Sequence, residues 1–159
     1  MRLLSIIFVA VLSFNASGQT CNSSMKPSAE PGQFVDLENG YVLDVVSMLK
    51  WNFCSLGQTY DQGVCTGTPN IYETFADALM AASEIEGHRI PNIKELGSLV
   101  ERSCVEPAID QTKFPDTPLY VYWSSTPGAS GNGMIIDFTD GSEIIRDINR
   151  PKAIRLVAE

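Results

Sequence analysis

The chain has 159 residues, 44% of them hydrophobic and 19% charged, with 19 Asp and Glu against 11 Lys and Arg and a formal net charge of -8. That balance belongs to a folded globular chain and excludes a disordered, collagenous or coiled-coil protein. It also excludes a basic nucleic-acid-binding surface, since a polyanion must be met by positive charge, and it disfavours anionic membranes for the same reason.

In chain order, the first feature is an address. Met1 and Arg2 precede an apolar run from Leu3 to Phe14, after which come the small residues Ala16, Ser17 and Gly18. The run is about 12 residues, short of the ~20 a membrane-spanning helix needs, and the order is that of a signal peptide. We expect cleavage after Gly18, giving a signal peptide over 1–18 and a single domain over 19–159, exported to the periplasm or secreted. Ser17 to Thr20 lacks the Leu that would mark Cys21 as a lipid anchor. The leader carries Arg2 and no acid, so the acidic character belongs to the folded part.

From Gln33 the pattern becomes regular. Phe34, Asp36, Tyr41 and Leu43 alternate around Glu38-Asn39-Gly40, and Asn-Gly is a strong hairpin signal. A third short strand is expected through Leu49 to Phe53. Thr74 followed by Asp77 reads as a capping box, and Phe75, Ala78, Leu79, Ala82 and Ile85 keep helical spacing up to a C-cap Gly87. Asn92 and Glu95 open a second helix, with Ile93, Leu96, Leu99 and Val100 as its apolar face. Pro107, Pro115 and Pro118 make the next stretch irregular. Tyr120 to Ser125 reads as a strand, Met134 to Phe138 and Glu143 to Asp147 as a hairpin turning near Asp140-Gly141, and Ala153 to Val157 as a last strand. Strands, two helices, then strands describe an α+β domain with two amphipathic helices packed on a small twisted antiparallel sheet with long loops.

Cys21, Cys54, Cys65 and Cys104 are an even number in an exported chain and read as two disulfides, with three connectivities open. Zinc lacks a CxxC pair and has only His88 to draw on. A bridge between Cys54 and Cys65 would clip a local loop and be worth about 3 kcal/mol, whereas Cys21 to Cys104 would be worth between about 4 and 5 kcal/mol.

Pro91-Asn92-Ile93-Lys94-Glu95-Leu96, Pro107-Ala108-Ile109-Asp110, Phe114-Pro115, Thr117-Pro118 and Tyr122-Trp123-Ser124-Ser125-Thr126 together resemble the Lcl C-terminal domain family of exported bacterial domains. Gln19-Thr20-Cys21, Trp51, Cys54-Ser55-Leu56-Gly57-Gln58 and Cys65-Thr66-Gly67 extend the likeness over nearly the whole mature chain. The resemblance implies a C-type lectin-like fold, shared with formylglycine-generating enzymes, and the bridges Cys54 to Cys65 and Cys21 to Cys104. It also implies attachment to sulfated glycans, which would need Arg89, Lys94, Lys113, Arg146, Arg150, Lys152 and Arg155 on one face. His88 stands where the family commonly has Trp, and Asp44-Val45-Val46-Ser47-Met48-Leu49 replaces a hairpin that is usually rich in Asp and Gly and ends in Thr-Gly-Leu.

The chemistry of an enzyme is hard to assemble from these residues. Four bridged cysteines leave no thiolate, and His88, the only histidine, has no nucleophile elbow to serve. Asp36, Glu38, Asp110, Asp116, Asp137, Asp140 and Glu143 offer carboxylate pairs for glycoside hydrolysis, but such residues ordinarily cap turns. Calcium is the one metal to consider, with Asp137 and Asp140 as candidate donors, and no other cofactor is expected. Tyr120, Tyr122 and Asn132 are the candidate ligand-binding residues, Trp123 being assigned to the core. The expectation is therefore a secreted, non-catalytic, adhesin-like module that recognises a glycan or a surface protein through loops around 106–133. The alternatives are an envelope hydrolase using a carboxylate pair and a structural subunit of a surface assembly. Neither nucleic acid nor a membrane span is expected, and the oligomeric state is open.

Overall fold

The computed structural model describes residues 18–159, so the expected signal peptide lies, apart from Gly18, outside the described residues. A short strand β1 (Thr20–Cys21) is followed by β2 (Phe34–Asp36), β3 (Tyr41–Asp44) and β4 (Leu49–Asn52). The hairpin expected at Asn39-Gly40 joins β2 to β3, and Gly40 supplies a φ of 87° there. Next comes a hairpin that periodicity does not reveal, β5 (Thr59–Asp61) and β6 (Val64–Thr66), inside the Cys54 to Cys65 loop. Its turn residues Gln62 and Gly63 both have positive φ, the geometry that matches strand twist.

Helix α1 spans Phe75–Ser83 and carries the expected capping box, Thr74 Oγ1 accepting from Asp77 N at 3.2 Å while the Asp77 carboxylate accepts from Thr74 N at 3.1 Å. It ends sooner than expected, at a C-cap Glu84 in the right-handed region, and Gly87 instead turns the chain into β7 (His88–Arg89). Helix α2 is a single turn and a half, Ile93–Gly97, capped by Asn92 and Glu95. Leu99 and Val100 are buried as expected but lie past its C-cap Ser98, because the chain turns there toward the strand β8 (Cys104–Val105). Strands β9 (Val121–Pro127), β10 (Gly133–Asp137) and β11 (Ser142–Arg146) form an antiparallel meander, and β12 (Val157–Ala158) ends the described chain.

The strands make a five-stranded sheet of order β2-β3-β4-β12-β7, a three-stranded sheet β11-β10-β9, and the pairs β1-β8 and β5-β6, all antiparallel. With two helices and two disulfides this is a small α+β domain. Cys21 pairs with Cys104 across β1-β8, and Cys54, just after β4, with Cys65 in β6. Two disulfides and no free cysteine fit an oxidising compartment, outside the cytosol. No described helix is long and apolar enough to cross a membrane.

The expected C-terminal strand is instead a seam between the two larger sheets. Residues 152–157 are six consecutive buried positions. Ala153 exchanges bonds with Val121 and Trp123 on one side, while Ile154 and Leu156 accept from Leu56 and Asn52 on the other. Switching partners at every step leaves no room for one continuous ladder. Trp51, Tyr122, Phe114 and Phe138 fill a core on one side of the seam, and Trp123, Ile135, Ile154 and Leu156 fill a second on the other.

Candidate functional site

The seam brings two cations indoors. Arg155 is fully buried, its guanidinium donating to the carbonyls of Asn52 (2.9 Å) and Phe53, to Ser55 Oγ at 3.3 Å and to Thr117 Oγ1 at 2.7 Å, with the Phe114 ring 5.1 Å away. No salt bridge reaches it among the described residues. Burial pushes its pKa down to about 10, which leaves it charged at neutral pH. Lys152 sits 3.7 Å from the centre of the Trp123 ring and donates to the carbonyls of Asp147 and Arg150. Desolvation lowers its pKa to about 8. Arg155 and Lys152 are two of the seven cations required for a sulfated-glycan face, and a third, the partly exposed Arg89, is forked onto Glu95 at 2.7 and 2.9 Å.

Tyr122 is not a surface residue. It is fully buried, its hydroxyl 2.7 Å from Ser55 Oγ and its ring edge-on to Phe138. Burial pushes its pKa up. Both faces of β9 are covered, so Tyr122 and Trp123 enter opposite cores rather than one core and the solvent. Tyr120 lies just before β9, half-buried against the same core as Tyr122, its hydroxyl 3.5 Å from Pro151 O. Asp137 and Asp140 each accept from a backbone amide two residues on, Thr139 at 2.9 Å and Ser142 at 2.9 Å. They work as turn caps, and no group of three metal-binding side chains gathers among the described residues. His88 is bonded within the fold, Nε2 to the Tyr41 hydroxyl at 3.0 Å and Nδ1 to Glu86 O at 2.9 Å.

Of the three ligand candidates, Asn132 lines a cleft. The cleft has a volume of about 410 Å³, with Phe75, Pro127 and Ile148 as apolar walls and Ser125, Thr126 and Asn132 as polar ones. Phe75 is the first residue of α1, so the capping box fixes its place, and its ring rests 5.2 Å from that of Trp123. Three glycines, 128, 131 and 133, complete the rim. At Gly133 the absence of a side chain is a packing requirement, for a Cβ would stand 2.7 Å from Trp123 Cζ3. Gly133→Ala is therefore expected to cost about 1–3 kcal/mol through overpacking, read as a lower urea midpoint at unchanged slope. None of the residues lining the cleft is ionisable. That residues 128–133 open beside Phe75 and Ile148 depends on contacts remote in sequence.

The other half of the expected loop surface lies elsewhere. Asp110, Thr112 and Lys113 border a groove along the N-terminal segment, and this groove shares no residue with the Phe75 cleft. Glu101 anchors the segment, accepting from Ser28 N, Ser103 N and Ser103 Oγ, and Gln19 Nε2 donates to Pro107 O and Ile109 O at 2.6 Å each. Burial raises the Glu101 pKa, but the bonds from Ser103 and Ser28 outweigh it and hold the carboxyl below its ordinary 4.5. A depressed acid stabilises the fold above its unfolded value and loses that effect as pH falls through the folded one. Glu101→Gln is expected to flatten the loss of urea resistance below about pH 4.5. In the groove the carboxylate is saturated by protein donors, and opposite charges mix, so the neutral Phe75 cleft is the better ligand site.

Residues 40–158 match the Lcl C-terminal domain. The chain belongs to that family. The match starts in the β2-β3 turn and runs into β12, so it includes both helices, the Phe75 cleft and the Cys54 to Cys65 bridge of this Lcl C-terminal domain. The Cys21 to Cys104 bridge ties a residue before the matched span to one within it. No curated protein and no solved structure matches the chain.

Proposed function

We propose that this Lcl C-terminal domain is an exported, non-catalytic binding module of lectin-like fold whose Phe75–Asn132 cleft takes an uncharged ring of a surface glycan. One observation carries the reading: the cleft joins an aromatic and aliphatic wall to hydroxyl and amide groups, with no ionisable side chain lining it. Such a wall complements the apolar face of a pyranose, and neutral polar groups complement its hydroxyls. The non-catalytic part is supported by the use made of the carboxylates. Asp36, Asp110, Asp137 and Asp140 each accept from the backbone N–H two residues on, the work of turn residues, and Asp116 accepts from the remote Cys65 N at 3.0 Å.

The oxidised mature protein on a glycan array should bind neutral glycans, with little response to salt or to chelation of calcium. Ser125→Trp, which fills the cleft from an exposed position, should abolish that signal without lowering the melting temperature. A blank array, or binding confined to sulfated glycans and erased by salt, would overturn the proposal.

A further inference from the structure

We propose that Lys152 is the positioning residue of the Phe75 cleft, its buried amine drawing the 147–150 loop inward and so setting the Ile148 wall beside Phe75; the inference rests on that cleft being the ligand site. The loop joins β11 to the seam, and of its four residues only Ile148 is even half-buried. Ile148 meets the cleft twice. Its carbonyl accepts from the Phe75 amide at 2.9 Å, one of the free N–H groups at the start of α1, and its Cγ2 lies 3.6 Å from where a Gly133 Cβ would stand. Wherever the loop goes, this wall goes with it.

One amine decides where the loop goes. Lys152 Nζ donates to Asp147 O and Arg150 O at 3.0 Å each, so the carbonyls on either side of Ile148-Asn149 close onto a single nitrogen. Lys152 is 2% exposed, its backbone N–H and C=O bonded to Tyr72 at 3.1 and 3.0 Å and its amine 3.7 Å from the centre of the Trp123 ring, against which Phe75 also rests. The anchor is thus fixed to the core behind the cleft, and the loop is fixed to the anchor. Without the donor, both carbonyls are satisfied by water only if the loop swings outward.

No carboxylate bonds this amine among the described residues. Burial lowers its pKa to about 8, Arg146 and Arg150 adding to that effect and Asp147 opposing it. Of the other elements around it, β9 supplies the neutral Trp123 ring, the segment before α1 supplies Tyr72 and the exposed Glu73, and α1 supplies Asp77, which is bonded to Thr74. Release of the loop hydrates the amine and returns it toward its ordinary 10.5, so the released form holds the proton more tightly. Raising the pH from 7 to 9 therefore favours the held loop.

Hydrogen exchange followed by NMR on the oxidised mature protein tests this. Lys152→Met keeps the length of the side chain but donates nothing. It should cut the protection of the Phe75 amide about tenfold or more, while leaving that of the Phe138 amide, bonded to Tyr120 O in the other core, within about twofold. A residue that merely supported the fold would lower both. In the wild type, Phe75 protection corrected for intrinsic exchange should rise about tenfold from pH 7 to pH 9, and a variant that does not fold leaves this series to decide. The signal of Lys152→Met on a neutral-glycan array should fall with the amide. Equal losses at Phe75 and Phe138, a flat wild-type pH series, or a full array signal from Lys152→Met overturns the proposal. An array that is blank for the wild type defeats the glycan reading alone, since the amide readouts need no ligand.

Discussion

Arg155→Ala is expected to cost at least about 4 kcal/mol, a large part of the 5–15 kcal/mol that holds a typical domain folded. The guanidinium satisfies the carbonyls of Asn52 and Phe53 and the hydroxyls of Ser55 and Thr117, all against the Phe114 ring. Truncation leaves several buried acceptors without a donor, each worth roughly 1–3 kcal/mol when stranded, and a cavity besides. Arg155→Met refills the space but supplies no donor, so it should recover only the cavity part. Tyr122→Phe, which removes a single hydroxyl contact to Ser55, should cost about 1 kcal/mol. Urea midpoints at constant slope measure all three. A loss below about 1 kcal/mol for Arg155→Ala would mean that water takes the place of the guanidinium.

The second large effect is expected from opening the Cys21 to Cys104 bridge. The double variant Cys21→Ser, Cys104→Ser should lose between about 4 and 5 kcal/mol, against about 3 kcal/mol for Cys54→Ser with Cys65→Ser, because the longer loop restricts the unfolded chain more. In a domain of this size that is a fall in melting temperature on the order of 10–15 °C. Location distinguishes the two further. The long bridge secures a segment otherwise held by Gln19 and by Ser28 on Glu101, so limited proteolysis should nick the long-bridge variant first within residues 22–32. Equal losses for the two pairs would show that native contacts at Glu101 and Gln19, rather than loop entropy, set the stability of the segment.

Where a local rule decides the structure, the sequence is readable. Thr74 with Asp77 and Asn92 with Glu95 start both helices, and Asn39-Gly40 and Asp140-Gly141 turn hairpins as expected. Where the decision is tertiary, it is not. Tyr122 alternates like a half-exposed strand residue, but β9 is covered on both faces, Tyr122 sharing a core with Ile93 and Leu96 of α2 and Trp123 a core with Ala78 and Ala82 of α1. Arg155 and Lys152 look like surface cations within an apolar run, and they go inside because neutral carbonyls, hydroxyls and aromatic faces wait there. Asn132 reaches a cleft only because Phe75 and Ile148, remote in sequence, close it.

The seam also sets the order in which the chain can become native. Lys152 to Val157 supplies hydrogen-bond partners to β4, to β9 and to the segments at Leu56 and Tyr72. A ribosome makes that stretch after every strand it joins. Until it arrives, β4 and β9 each lack a neighbour and both cores stand open. The polypeptide is thus kept from premature completion by its own topology.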